Sequence, residues 1–90
     1  MYINGIEVQL YGSAHTIYAN FNPIRIGCDY SSRYFDGNID EVRLWNVARS
    51  ETEIAGNMST ALTGQESGLV AYYNFNEGSG QILTDLTGNN

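Results

Sequence analysis

The chain contains no lysine, and its only cationic side chains besides one histidine are Arg25, Arg33, Arg43 and Arg49. Ten acidic residues set against those four arginines give a formal net charge of −6. With no basic patch, nucleic acid is not an expected partner. An acidic surface suits cation binding or plain solubility. Cys28 is the single cysteine, so no intrachain disulfide can form and the usual staple of a small secreted domain is missing. An intermolecular bridge through Cys28 is one reading, and a small half-buried residue is the other. No apolar run approaches the roughly 20 residues that cross a bilayer, so membrane insertion is not expected. Proline occurs once, at Pro23. No leader pattern precedes Met1-Tyr2, which runs straight into a strand and suggests a truncated or autonomous fragment.

What the chain has instead is tyrosine, seven in all, ten glycines, and many asparagines, serines and threonines. That balance favours a twisted, turn-rich all-β protein. Ninety residues make one domain at most. A chain of this size buries only a little over about 60% of the surface its unfolded form exposes, so a lone core is marginal.

Along the chain, Asn4-Gly5 between Tyr2-Ile3 and Ile6-Glu7-Val8 predicts a tight hairpin, because both central residues must take positive φ. A turn cluster follows at Tyr11-Gly12-Ser13-Ala14. His15 to Asn22 has a period of two at Ile17, Ala19 and Phe21 and reads as a strand or an extended loop. Ile24-Arg25-Ile26-Gly27 reads as a short strand, and Cys28 to Asp36 as a loop. From Gly37 to Asn46 the alternation predicts a strand with Ile39, Glu41, Arg43 and Trp45 on one face and Asp40, Val42, Leu44 and Asn46 on the other. Ser50-Glu51-Thr52-Glu53 is a capping box, with acidic residues that suit the helix dipole. It predicts a helix ending near Met58, with Ile54 and Met58 as its buried stripe. Leu69 to Phe75 alternates again, with Leu69, Ala71, Tyr73 and Phe75 on one face. Asn76 to Gly80 reads as a turn, and Gln81 to Thr84 as a candidate returning strand. The expected core is Ile3, Ile24, Ile26, Val42, Leu44, Ile54, Leu69, Ala71 and Phe75.

Four segments in order resemble laminin-G-like domains of the concanavalin-A type: Met1 to Val8, Pro23-Ile24-Arg25-Ile26-Gly27, Phe35 to Trp45 with its Ile39-Asp40-Glu41-Val42-Arg43-Leu44-Trp45 run, and Ala48 to Ile54. The last third, Gly68 to Gly80 and then Asp85-Leu86-Thr87-Gly88-Asn89, resembles the opening of such a domain rather than its close. The resemblance implies an all-β, jelly-roll-like antiparallel β-sandwich, partial or permuted, with one short helix. Residues 1–58 form a closing segment and residues 68–90 an opener-like segment of one partial domain. First and last strands of a jelly roll lie side by side, so the opener is expected to pair with the closing strand. The family is mostly secreted, which implies an extracellular module, part of a larger protein, that binds sugars or proteins.

Asp40 and Glu41 are adjacent, so on a strand they point to opposite faces and cannot form the same-face carboxylate pair of a glycosidase. Related glycanases alternate acids along one strand, but the same-face neighbours of Glu41 are Ile39 and Arg43. No enzyme activity is expected, and Glu41 with Arg43 reads as an ion pair. Asp85, Asn89 and Asn90 supply hard oxygens within one turn. The resemblance adds a calcium ion (Ca2+) near that turn, with Asp40 or Asp36 completing the set Asp40, Asp85 and Asn89; an ordinary Asx-turn is the alternative. Trp45, Tyr72 and Tyr34 are candidate platforms for sugar rings, as are Tyr73 and Tyr30, although strand aromatics also serve as core. Asn57-Met58-Ser59 matches an N-glycosylation sequon inside a helical segment, and His15 reads as a loop residue. The expected function is non-catalytic glycan binding; the alternative is a structural self-association module without a small ligand. Either way, too few strands to close a sandwich imply a homodimer.

Overall fold

The computed structural model of the chain describes residues 1–8 and 21–90. The turn read at residues 11–14, His15, and all but the last two residues of the segment 15–22 lie outside the described residues. The chain divides into two compact units, Met1–Gln9 with Asp40–Asn90, and Leu10–Ile39. No helix among the described residues is long and apolar enough to cross a membrane.

The first unit begins with a hairpin of β1, Tyr2–Ile3, and β2, Ile6–Glu7. Tyr2 pairs with Glu7 and Ile3 with Ile6. The connecting Asn4 and Gly5 sit at φ 52° and 77°, the two positive values that a type I′ turn needs to match strand twist. Gly5 is required twice over. A Cβ placed there would lie 3.0 Å from the Ala55 Cβ and 3.1 Å from the Met58 sulfur, so the turn is also where the helix seats on the hairpin.

β3, Val42–Trp45, pairs antiparallel with β4, Leu69–Tyr73. This is the pairing expected between the closing strand and the segment after the helix. Val42, Arg43 and Leu44 face Tyr73, Tyr72 and Ala71, and Trp45 faces Leu69. Val70 is therefore the extra residue of a bulge. Its carbonyl is taken up by Thr87 Oγ1 at 3.3 Å and Asn89 Nδ2 at 3.1 Å.

α1, Glu51–Asn57, lies between β3 and β4 in sequence. Both halves of the capping box form: Ser50 Oγ accepts from the Glu53 amide at 3.2 Å, and the Ser50 amide donates to Glu53 Oε2 at 3.1 Å.

The core is smaller than expected and sits on β4. Leu69, Ala71, Tyr72 and Asp85 are buried, while Val42, Leu44, Ile54 and Phe75 are half-buried. Tyr72 is on the opposite parity from Leu69 and Ala71, so both faces of β4 are covered. Ile3, Ile24 and Ile26 are exposed rather than core, and Met58 is exposed rather than part of a buried stripe. The reason for Ile3 is that a two-residue strand is covered by little besides its hairpin partner. Ile24 to Gly27 forms no strand.

The long strand expected from Gly37 starts only at Val42, because Glu41 takes φ +54° and breaks the extended run. Phe75, also at positive φ, lies beyond the end of β4, and Gln81 to Thr84 is not a strand.

The second unit has one described β-bridge, Cys28 to Tyr34. Gly27, at φ +79°, turns the chain into it and accepts from the Phe35 amide at 2.8 Å. Asp29 fills the loop: its Oδ1 accepts from the amides of Ser31 at 2.8 Å and Arg33 at 3.1 Å, and its Oδ2 pairs with Arg33 Nε.

Two glycines separate conformational need from mere presence. Gly5→Ala is expected to lower stability by about 1–3 kcal/mol, from the left-handed backbone and the clash with α1. Gly56→Ala meets nothing within 4 Å on the helix surface and is expected to raise stability by about 0.5–1 kcal/mol. Urea midpoints should therefore move in opposite directions; a common direction would show that the turn is not the constraint described.

Candidate functional site

Glu41, Arg43 and Trp45 follow one another at every second position across the start and length of β3. The left-handed turn at Glu41 brings its carboxylate back onto Arg43. Arg43 Nη2 donates to Glu41 Oε2 at 2.7 Å, and the Tyr72 hydroxyl donates to the same oxygen at 2.8 Å. The Arg43 fork then reaches the end of α1, where Nη1 donates to the Asn57 carbonyl at 2.7 Å and Nη2 to the Thr60 carbonyl at 2.6 Å. The last turn of α1 carries no basic residue of its own, so Arg43 supplies from β3 the positive charge that a helix C-terminus favours. Arg43 also lies over the Tyr72 ring, 5.7 Å from its centroid. Its Nε is buried without a hydrogen-bond partner.

These contacts set the protonation states. The hydrogen bond from Arg43, and then that from Tyr72, hold Glu41 below the usual carboxylate range against the opposing effect of burial. Burial first, and the bond to Glu41 second, push the Tyr72 phenol up.

Beside this cluster lies a cavity of about 330 Å³ between β3 and α1. Trp45, Ile54 and Met58 contribute its apolar lining; Asp40, Glu53, Asn57, Arg49 and the Glu41–Arg43 pair contribute the polar groups. The Arg49 guanidinium is stacked over Trp45, 4.0 Å from the ring centroid. Its Nε lies 3.4 Å from Glu53 Oε2, the oxygen that also completes the capping box. A volume of this size, with an aromatic ring set among converging polar groups, is within the range of small-ligand sites.

The structure separates the residues read from sequence as sugar platforms. Trp45 lines the cavity. Tyr72 is fully buried, so it cannot stack on a ligand; its ring supports Arg43, and its hydroxyl accepts from the Leu62 amide at 3.3 Å besides donating to Glu41. Tyr34 is 76% exposed and belongs to the other unit. In that unit, Asn22, Pro23, Arg25, Cys28, Asp29 and Tyr30 line a second cavity of about 370 Å³.

Of the residues read as calcium ligands, Asp85 and Asn89 lie in one turn and both bond to β4. Asp40 lines the cavity beside Trp45. Asp85 closes the free edge of β4: its Oδ1 accepts from the Tyr72 amide at 3.0 Å and from the Thr87 amide and hydroxyl at 2.9 and 2.8 Å, and its Oδ2 accepts from Asn90 Nδ2 at 2.7 Å. The Leu86 amide donates to the Tyr72 carbonyl at 2.9 Å. Asn89 turns its amide nitrogen to Val70. Four donors on one carboxylate make Asp85 a clasp that ties the turn after it to β4. Among the described residues, no group of three or more His, Cys, Asp or Glu gathers to hold a metal.

Sequence reasoning found the Glu41–Arg43 pair and Trp45 but missed Tyr72 as their buried support and Arg49 as the cover of Trp45. The register of β3 on β4 was the signal for the first. The spacing of Arg49 and Glu53, one helical turn apart, was the signal for the second.

A protein-family model described as the Concanavalin A-like lectin/glucanases superfamily matches residues 1–55. No curated protein and no solved structure matches the chain. The matched span holds Glu41, Arg43, Trp45, Arg49 and Glu53; Tyr72 and Asp85 lie after it.

Asp85 yields a pH prediction. Burial raises its pKa, but the bonds from Tyr72, Asn90 and Thr87 outweigh burial and hold it far below the ordinary 3.8. A depressed folded-state pKa contributes stability that is present above the unfolded value and lost as pH falls below it. Urea stability should therefore decline as pH drops below about 4. Asp85→Asn should be less stable at neutral pH and show a shallower acid decline. Parallel acid limbs in the two proteins would exclude the clasp as their source.

Proposed function

Because the chain belongs to the Concanavalin A-like lectin/glucanases superfamily, we propose that it is a non-catalytic binding module that holds a saccharide unit in the cavity between β3 and α1. The observation that carries this reading is Trp45, an aromatic platform lining a cavity of about 330 Å³ among carboxylates, a guanidinium and an amide. Sugar C–H faces pack on aromatic planes while their hydroxyls need polar partners, and this lining offers both. An extracellular setting goes with the reading, on the resemblance to laminin-G-like modules.

Glu41 is poorly suited to be the proton donor of a glycosidase. Glycoside cleavage needs a carboxylic acid kept protonated to donate to the leaving oxygen. Glu41 instead has one oxygen shared by the Arg43 and Tyr72 donors, which hold its carboxyl below the usual range. A group so engaged supports structure rather than proton transfer.

A glycan array probed with the chain should give saturable hits, unchanged by calcium or by a chelator. Trp45→Ala should weaken them at least about tenfold, as expected when a stacking contact of about 1.4 kcal/mol or more is removed. An array without hits in either condition counts decisively against the reading.

Self-association is a second reading with an observation of its own. The cross-strand pair Ile3 and Ile6 stays exposed on the hairpin, with Met58 exposed on the adjoining helix end. A twofold dimer covers such a surface most simply, with an interface above roughly 1,600 Å² in total. Light scattering should give twice the 10.0 kDa chain mass at micromolar concentration. A cooperatively folded monomer there would dismiss this reading and leave the first untouched.

A further inference from the structure

The Trp45 ring already carries a cation supplied by the chain. The Arg49 guanidinium sits 4.0 Å from the ring centroid, the geometry of a cation–π contact. Its ion pair with Glu53 is 3.4 Å long, beyond the 2.7–2.9 Å range of a strong charge-assisted bond. Arg43, the other cation of the cavity, is committed to Glu41 and to two helix-end carbonyls. What remains for a ligand is the Trp45 ring and the second oxygens of Glu53 and Asp40, whose Oε2 and Oδ1 accept from the Ser50 and Glu41 amides; together they line a recess suited to a positive group.

We infer that this cavity selects saccharides bearing a free amino group, of the glucosamine type, and that Arg49 occupies the ligand's place until the ammonium group displaces it. The inference rests on the saccharide-binding reading above. The exchange conserves charge: one cation leaves the ring and Glu53, another takes its place, and Arg49 moves into water. A neutral sugar that displaces Arg49 forfeits the cation–π contact and strips Glu53 of its cationic partner. A sugar carboxylate meets Asp40 and Glu53 directly. The net charge of −6 adds a long-range attraction for cations that salt screens.

Tryptophan-fluorescence titration with glucosamine oligomers and with N-acetylated oligomers of equal length tests this, at a pH where the amine is protonated. The free-amine oligomer should bind about fivefold tighter or better, with the margin shrinking in high salt. Arg49→Ala should tighten free-amine binding about two- to fivefold, because the internal competitor is gone. Glu53→Gln removes the charge yet keeps a residue that serves in a capping box, and it should weaken free-amine binding while leaving far-UV circular dichroism unchanged. Equal affinity for both oligomers overturns the selection for amines but leaves saccharide binding standing. No binding of either oligomer, with none on the array, overturns both. Loss of free-amine binding in a folded Arg49→Ala protein shows Arg49 to be part of the site rather than its occupant, and overturns the displacement.

Discussion

The first unit depends on one side chain, Arg43. Its guanidinium joins three elements that sequence keeps apart: Glu41 at the entry to β3, Tyr72 in β4, and the carbonyls of Asn57 and Thr60 at and beyond the end of α1. With the side chain 13% exposed, a guanidinium in this position needs partners. Removing any one of them leaves charge or donors uncompensated, which costs more than the pair itself contributes. Lysine cannot replace it, because three acceptors in three directions call for a planar fork of donors. In a chain without lysine, the arginines that matter structurally all meet carboxylates: Arg43 with Glu41, Arg49 with Glu53, Arg33 with Asp29.

The same side chain explains why a non-glycine residue tolerates a left-handed backbone at Glu41. The positive φ costs roughly 1 kcal/mol or more. It aims the carboxylate at Arg43 and the Tyr72 hydroxyl, and those bonds offset the cost. It also shortens β3 to four residues. Strand length here is set by a half-buried ion pair rather than by strand propensity.

Legibility in the sequence follows the range of the interactions. Asn4-Gly5 and the Ser50–Glu53 box were readable because each acts within four residues, and both formed with the expected geometry. The Glu41–Arg43 pair was readable at a spacing of two, and β3 with β4 from alternation. Ile24 to Gly27 reads as a strand by composition, but a strand needs a partner edge, and the described bridge of that unit, Cys28 to Tyr34, leaves Ile24 75% exposed. Tyr72 was misread for the converse reason. Its parity places it away from Leu69 and Ala71, yet Arg43 and Glu41 cover it from the neighbouring strand. Asp85 and Asn89 looked like ligands because hard oxygens within one turn are the raw material of both a metal site and a backbone clasp. Only the donors that reach them decide which.

The site inherits its form from the fold's local signals. Glu53 is fixed by helix capping, and the oxygen that caps also faces Arg49. Trp45 is fixed by the β3–β4 register at the position where the bulge at Val70 shifts the pairing. The helix stands over β3 because Gly5 leaves room for Ala55 on one side and Arg43 ties down Asn57 on the other. A cavity bounded this way is held by contacts that the protein needs for folding in any case. Its two carboxylates, each held by a backbone amide, and its aromatic ring are therefore already in place when a ligand arrives, and little ordering entropy is charged against binding. The one group that must move is Arg49, held by a stacking contact and a long ion pair, and its release into water is what a ligand has to match.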